Sequence, residues 1–423
     1  MDILIGGGGK VGYNLAKILS KQHNITVIDS NSNSLNNINE SLDVLTVLGD
    51  LRETLTYNDL DKNYDFYLAV TNDDETNIIS SFLVDDFTNI KEKIARIKNT
   101  SYSLSSINTK ADIKNMIYSY TITASHIEKL LFFPQANNVK EIISTNMFLL
   151  SIESEIDIET ETLNEDYLKI IAVIRDEKII FDENKILKGD LVYLICPKEK
   201  KEILKILAPS CKDVIENILI FGADPLAVEI AKKLNKYNLN IKIIEKDTTK
   251  AHKAAKTLQE EVMVINSSFE DENLFRSENL NTNDISIAAT RFDENNIMKS
   301  LIAKKYGIKK TVCINNNPSY HSIMHSLHLP VIRGPKINTI FKILETIDSK
   351  DIIYEQFFMG FEGKLFIKKI YFTKTIKLPK ENAKFIIIRN NQLIEIKNEF
   401  QTQEGDTLLY FNTSGNRLWI ENL

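Results

Sequence analysis

Cysteine is scarce in this chain of 423 residues: Cys196, Cys211 and Cys313 stand far apart and form no C-x-x-C pair. That scarcity excludes a disulfide framework and a zinc knuckle, and it points to a reducing compartment. Long apolar runs are missing as well. Stretches such as residues 147–152 and 191–196 fall far short of the roughly 18–20 residues a bilayer helix needs. The chain opens Met1-Asp2 and runs straight into an apolar strand and a glycine turn, which is not the pattern of a signal peptide. No basic excess exists either: 52 Lys and Arg face 58 Asp and Glu, a formal net charge of −6. A nucleic-acid partner would call for the opposite balance. Glycine (14) and proline (8) are too few for a collagen-like chain. What remains, 43% apolar and 26% charged residues, is the composition of an ordinary folded protein, long enough for two to four domains.

An internal repeat decides the architecture. Ile3-Leu4-Ile5 with Gly7 returns 215 residues on as Ile218-Leu219-Ile220 with Gly222. The acid-ended run Ile25-Thr26-Val27-Ile28-Asp29 is matched by Ile241-Lys242-Ile243-Ile244-Glu245, and the stretch from Ala69 to Ile78 by that from Ala288 to Ile297. Ala95-Arg96-Ile97 corresponds to the region of Cys313-Ile314. A second kind of segment repeats too: Ile174-Arg175 with Gly189-Asp190, and Ile388-Arg389 with Gly405-Asp406. The order is large lobe, small lobe, large lobe, small lobe, with expected bounds 1–135, 139–210, 215–340 and 345–423. In the first large lobe, apolar runs at 2–5, 25–28, 44–48, 66–70 and 94–97 alternate with helical stretches such as 11–19 and 75–87. That rhythm predicts a doubly wound parallel sheet. The small lobes read as β-rich with hairpin turns, and residues 198–207 read as an amphipathic helix.

Gly7-Gly8-Gly9-Lys10-Val11-Gly12 is a G-x-G-x-x-G between strand and helix. Gly7 permits the tight turn, Gly9 lets the backbone approach a pyrophosphate, and Gly12 lets the helix pack closely. The helix start then favours phosphate. Asp29, ending the second strand, can accept hydrogen bonds from both ribose hydroxyls and would repel a 2′-phosphate, so NADP is disfavoured. ATP and ADP are not disfavoured, because their ribose carries the same diol. Thr71 and Asn72 end the fourth strand beside the crevice, and Asn72 with Glu75 reads as a capping box. Arg96, at the end of the next strand, either faces phosphate or ribose or pairs with a local carboxylate. In the second copy the turn degenerates to Gly222-Ala223-Asp224-Pro225-Leu226-Ala227. Asp224 would repel a pyrophosphate there, although Glu245 survives as a candidate ligand-binding acid. His321, His325 and His328 would share a helix face. With no carboxylate or thiol near them in sequence, they read as surface or interface histidines rather than metal ligands.

Together these motifs resemble the TrkA family of Trk-system potassium uptake proteins, with its paired regulator-of-K+-conductance (RCK, also called KTN) domains. The resemblance spans the whole chain and rests on Gly7–Gly12, Asp29, Val70 to Asn77, Ala95-Arg96-Ile97 and the tandem arrangement. It departs at residues 222–227 and at Thr290-Arg291-Phe292. It implies an α/β fold of two Rossmann-like doubly wound parallel-sheet lobes, each followed by a smaller α+β RCK C-terminal lobe. It also implies a regulatory subunit, not an enzyme, peripheral on the inner face of the cell membrane. Such a subunit binds NAD(H) or adenine nucleotide through Gly7 to Val11, Asp29, Thr71, Asn72 and Arg96, gates an integral potassium transporter, and forms homo-oligomers through its RCK lobes. The competing reading is an NAD-dependent dehydrogenase, weakened by the lack of a catalytic signature. His126, one of two histidines in the first copy, reads as an interlobe residue.

Overall fold

The structure is a computed structural model that describes the chain apart from residues 59, 62, 143–144, 164, 349–352, 359–362, 414–417 and 422. It divides into two compact units, residues 1–123 with 334–346, and residues 124–333 with 347–423. In the first unit, β1 (Asp2–Gly6), β2 (Asn24–Asp29), β3 (Leu45–Leu48), β4 (Asn63–Ala69), β5 (Asn89–Ile97) and β6 (Asn115–Tyr118) form one parallel sheet in the order 3-2-1-4-5-6. The helices α1 (Lys10–Leu19), α2 (Ser32–Ser41) and α3 (Asp74–Leu83) make the crossovers. β1 is apolar because both its faces are covered: Ile3, Leu4 and Ile5 are fully buried, as parallel strands between helix layers must be. The order reverses between β1 and β4, and the loops above that switch point form a crevice at the strand ends.

The second unit repeats this sheet. Its strands lie in the order Met263–Asn266, Asn240–Glu245, Asn217–Phe221, Ile285–Ala288, Lys310–Asn315, Val331–Arg333. The same unit holds two antiparallel five-stranded sheets, one from residues 138–197 and one from residues 353–412. They share one apolar core, in which Met147, Leu149, Ile171 and Ile195 cluster with Leu365, Ile386, Leu409 and Phe411. The Lys384 ammonium reaches the Phe181 carbonyl at 3.3 Å and lies 3.5 and 3.4 Å from the Asp182 and Glu395 carboxylates.

The repeated Arg and Gly-Asp signatures become identical clamps. Arg175 grips Asp190 through Nε and Nη2, at 3.0 and 2.6 Å, and Arg389 grips Asp406 at 2.8 and 2.7 Å. The second carboxylate oxygen of each aspartate also accepts a turn amide, from Leu187 or Gln403. Two expectations need correcting. Residues 198–207 are not an amphipathic α-helix but a 3-10 segment, Lys198–Ile206, interrupted at Lys200. The first sheet also has a sixth strand, β6, absent from the five read in the sequence. It is a four-residue edge strand in which only Ile117 is buried, too short to stand out as a strand in the sequence.

Candidate functional site

The chain leaves β1 through Gly7, whose φ of +109° lies in the left-handed region that favours glycine. Gly12 is required by packing: a Cβ there would sit 1.8 Å from the Gly7 carbonyl oxygen. Above Gly9, by contrast, an added Cβ would meet nothing within 4 Å, so that side of the turn is open. Val11 is buried and anchors the start of α1, while Lys10 is exposed. Asn31 caps α2 through the Asn33 and Ser34 amides, and Asp73 caps α3 through the Thr76 amide. α1 alone of the three has no side-chain cap. Its first-turn N–H groups, aligned with the helix dipole, are therefore available to an external anion.

Asp29 stitches the second strand to this turn. Its Oδ2 accepts the Gly8 amide at 2.6 Å and its Oδ1 the Asn31 amide at 2.8 Å. A carboxylate oxygen can accept twice, so each oxygen keeps capacity for a ribose hydroxyl. Across the switch point stand Thr71, Asn72 and Arg96. Asn72 is exposed, and its carbonyl accepts the Lys98 ammonium. The capping box expected from Asn72 and Glu75 does not form. Thr71 Oγ1 accepts the Asp73 amide at 3.2 Å, and this places Asp73 as the cap, taking the Thr76 amide at 2.8 Å. Glu75 instead accepts the Tyr102 hydroxyl at 2.7 Å.

Arg96 is only 4% exposed. Its Nη1 lies 3.5 Å from the Thr71 carbonyl, and its Nε–H has no hydrogen-bond partner among the described residues. The expected alternative, pairing with a local carboxylate, is not what the neighbours do: Asp74 accepts the Lys98 and Asn99 amides. Burial pushes the guanidinium below its usual pKa, only partly offset by the nearby Tyr120 side chain and Asp74 carboxylate. A desolvated cation with an orphan donor is what an anionic or polyhydroxyl ligand would relieve. The uncapped helix, the open space above Gly9 and the Asp29 carboxylate fit the same group, an adenine dinucleotide or nucleoside phosphate.

Sequence reasoning missed the residue that holds these parts together. Asn77 Oδ1 accepts both the amide and the hydroxyl of Thr71, at 2.9 and 2.7 Å, and its Nδ2 donates to the Arg96 carbonyl at 2.8 Å. Asn296 does the same for Thr290 and Ile314 in the second lobe, at 2.9, 2.7 and 2.9 Å. The signal was available as a Thr and an Asn six residues apart, present in both copies. Asn77→Ala would strand a buried amide and carbonyl and is expected to cost ~1–3 kcal/mol. The thermal midpoint and NADH affinity should both fall. Asn296→Ala should lower the midpoint alone, as calorimetry of both variants would show.

The second lobe keeps the frame and changes the contents. Glu245 repeats the role of Asp29, accepting the Ala223 amide at 2.8 Å and the Asp247 amide at 2.9 Å. Asp224, where Gly9 stands in the first copy, is neutralised by Lys250 at 2.7 Å, so the expected charge repulsion gives way to an occupied position. Pro225 opens the helix without an N–H, and Ile314 replaces the arginine. The interior is exchanged as a set. In the first lobe Tyr67 fills the space that a Cβ on Gly6 would enter, 2.5 Å from its hydroxyl. In the second, Phe221 stands at the Gly6 position, Ser286 at that of Tyr67 and Lys299 at that of Ser80. The Lys299 ammonium lies 4.1 Å from the Phe269 ring centroid, and burial pushes its pKa down to about 8 against the nearby Glu245 charge.

The three histidines do not form one face. The helix His321–Ser326 ends before His328, which has φ +51° and bonds Glu153 through Nδ1 at 2.9 Å. The side chain of His321 lies outside the described residues. Among the described residues no group of three or more His, Cys, Asp or Glu could hold a metal ion. Among them, too, no helix is long and apolar enough to cross a membrane. His126 is held neutral, its pKa pushed down to about 3 by burial and by the charges of Lys129, Lys140 and Arg333.

Two six-stranded sheets in the 3-2-1-4-5-6 order, one with a glycine turn bonded to the acid that ends its second strand, define a tandem Rossmann-type protein. The TrkA-N domain family matches residues 3–119 and 218–333, and the chain belongs to that family. It is 25% identical to Trk system potassium uptake protein TrkA homolog 1 of Methanosarcina mazei, over 97% of each chain. It is 24% identical to Trk system potassium uptake protein TrkA of Haemophilus influenzae, over 100% of this chain and 98% of the relative. The fold is that of the GsuK channel bound to NAD, with a TM-score of 0.63 over 98% of this chain and 77% of that one at 16% identity. Both relatives carry the names of potassium uptake proteins, not of oxidoreductases.

Proposed function

We propose that this protein is the nucleotide-binding regulatory subunit of a Trk-type potassium uptake system. It works at the cytoplasmic face of the membrane, on an integral potassium-translocating subunit, and assembles with copies of itself through its RCK lobes. We read it as four parts, 1–135, 139–210, 215–340 and 345–423, with the ligand in the first. NAD(H) is the favoured ligand, and ATP or ADP offers the same phosphate and diol. The observation that carries this reading is the contrast between the two crevices. Both have a helix start without a side-chain cap and an acid at the end of the second strand. The first has open space above Gly9 and a buried arginine whose Nε–H has no partner among the described residues, whereas in the second an ion pair, a proline and an isoleucine stand at the matching positions.

Bound nucleotide supplies diphosphate charge and a ribose diol, and the chain's residues read both. The first-turn amides of α1 and Arg96 hold negative charge, and Asp29 orients the diol. Thr71, fixed by Asn77, ties the β4 end to the β5 end, so that occupancy is felt across the switch point. Regulation then follows from linkage: a ligand shifts an equilibrium between two arrangements only by its difference in affinity for them. The membrane subunit would sense that shift. Asp29→Ala is expected to weaken NADH binding at least tenfold, about 1.4 kcal/mol, in calorimetric titration. The same variant should fail to restore growth of potassium-uptake-deficient cells at low external potassium. Unchanged NADH and ADP affinity would remove Asp29 from the site. Normal complementation by a non-binding variant would separate nucleotide from transport.

A further inference from the structure

The second unit holds a cavity of about 530 Å³, apart from both glycine turns, within the size range of small-molecule sites. Its walls come from residues 134–137, Glu153 and Glu155, the connector 208–215 that leaves the first antiparallel lobe, and the rim of the second parallel sheet at 281–284, 304–310 and 328–330. Gln135 lines it, 7% exposed, with a carboxamide that makes no hydrogen bond among the described residues. Beside it the Lys310 ammonium bonds the carbonyls of Pro134 and Ala136 (the latter at 2.8 Å), and the Cys211 thiol donates to Pro134 at 3.1 Å.

The charges in this cavity are unequally matched. Each carboxylate on its wall is engaged: Asp284 by Lys212 and two backbone amides, Glu155 by the amide and hydroxyl of Ser210, and Glu153 by His328. Three lysines have no carboxylate. Lys310 faces only carbonyls. Lys304 reaches the Leu327 and His328 carbonyls at 3.4 Å, and Lys309 pairs with no described residue. Burial pushes Lys310 down to about 8, and a neighbouring anion would restore its charge. The groups without a charge partner are thus three ammonium groups, beside a Gln135 carboxamide whose donor and acceptor open into the cavity.

We propose that this cavity is a second ligand site, separate from the glycine turn, that takes a small molecule bearing a diphosphate against Lys304, Lys309 and Lys310, with Gln135 reading a polar group beside it. Occupancy would tie the connector 208–215 to the second parallel-sheet lobe, so the site is placed to stiffen the joint between the antiparallel and parallel parts of this unit.

The full chain is titrated calorimetrically with inorganic pyrophosphate, with ADP, and separately with NADH. The double variant Lys304→Glu/Lys309→Glu changes exposed side chains and should leave folding intact. It is expected to remove one class of pyrophosphate and ADP sites, weakening that class at least tenfold, while NADH affinity stays within twofold. Gln135→Leu, which alters no charge, should weaken the same class at least fivefold. Tighter binding of ADP than of pyrophosphate would show that the nucleoside is read, and equal binding that the diphosphate alone is. The proposal is overturned if only one class of sites exists in the parent, if the lysine variant leaves pyrophosphate binding unchanged, or if Gln135→Leu has no effect. NADH binding lost in the parent would instead overturn the reading of the first lobe and leave this site standing.

Discussion

Gly12→Ala is expected to abolish measurable NADH binding, a loss of at least a hundredfold or about 3 kcal/mol, while the chain still folds. The methyl group would overlap the Gly7 carbonyl oxygen at 1.8 Å; that oxygen is backbone, and a Cβ has no rotamer by which to move aside. The turn must therefore open, carrying the first amides of α1 away from the place where they converge. The second lobe indicates how far such a change is tolerated. Ala227 occupies the matching position, fully buried, in a turn that also holds Asp224 and Pro225. The sheet and helix persist there, so the fold survives an alanine at this place. Overpacking of this kind costs ~1–3 kcal/mol, which a thermal midpoint would register. Gly9→Ala is the matched control: its methyl enters open space, so stability should hold and only ligand approach should suffer. Should Gly12→Ala bind NADH like the parent, the amides of this turn are not the phosphate contact.

The sequence made legible whatever depends on buried runs and repeated spacing. The parallel strands announced themselves because both faces are covered, and the second copy repeated them at a nearly fixed offset. Short edge elements were less legible: β6 is four residues with one buried side chain and escaped, while β3 at the opposite edge was read from its apolar run alone. Local polar competition also defeated pattern reading. Asn72 and Asp73 are both good caps, and what decides between them is the Thr71 hydroxyl taking the Asp73 amide. Arg96 was readable as a cation at a strand end, but its missing partner was not, since that depends on where the Asp74 carboxylate turns. The cavity at Gln135 lies furthest from reach, because stretches more than a hundred residues apart build it. The repeat aligns Gly6, Tyr67 and Ser80 with Phe221, Ser286 and Lys299, but that Tyr67 fills the space above Gly6 shows only in the structure.

Arg389→Ala is expected to cost ~3–5 kcal/mol, felt first in the second antiparallel lobe. Asp406 is 2% exposed and accepts both guanidinium donors and the Gln403 amide. Deleting the arginine leaves a carboxylate out of water with one amide for company. Removing the acid instead should cost less, because Arg389 is partly exposed and still rests 5.1 Å from the Phe400 ring centroid. The clamp holds the hairpin turn against the strand Ala383–Arg389, so its loss should loosen that sheet's contribution to the shared core. The only tryptophan, Trp419, packs edge-on against Phe385 and Tyr410 of the same sheet. Its fluorescence in a urea titration therefore reports this lobe directly. Replacing both partners, Arg389→Met with Asp406→Leu, removes the buried charge along with its counter-ion and should recover most of the loss, since exchanging a buried pair for apolar groups is often neutral. NADH binding at the first lobe should stay unchanged throughout. A double variant no better than Arg389→Ala would mean that the guanidinium acts through packing, not as the partner of a buried acid.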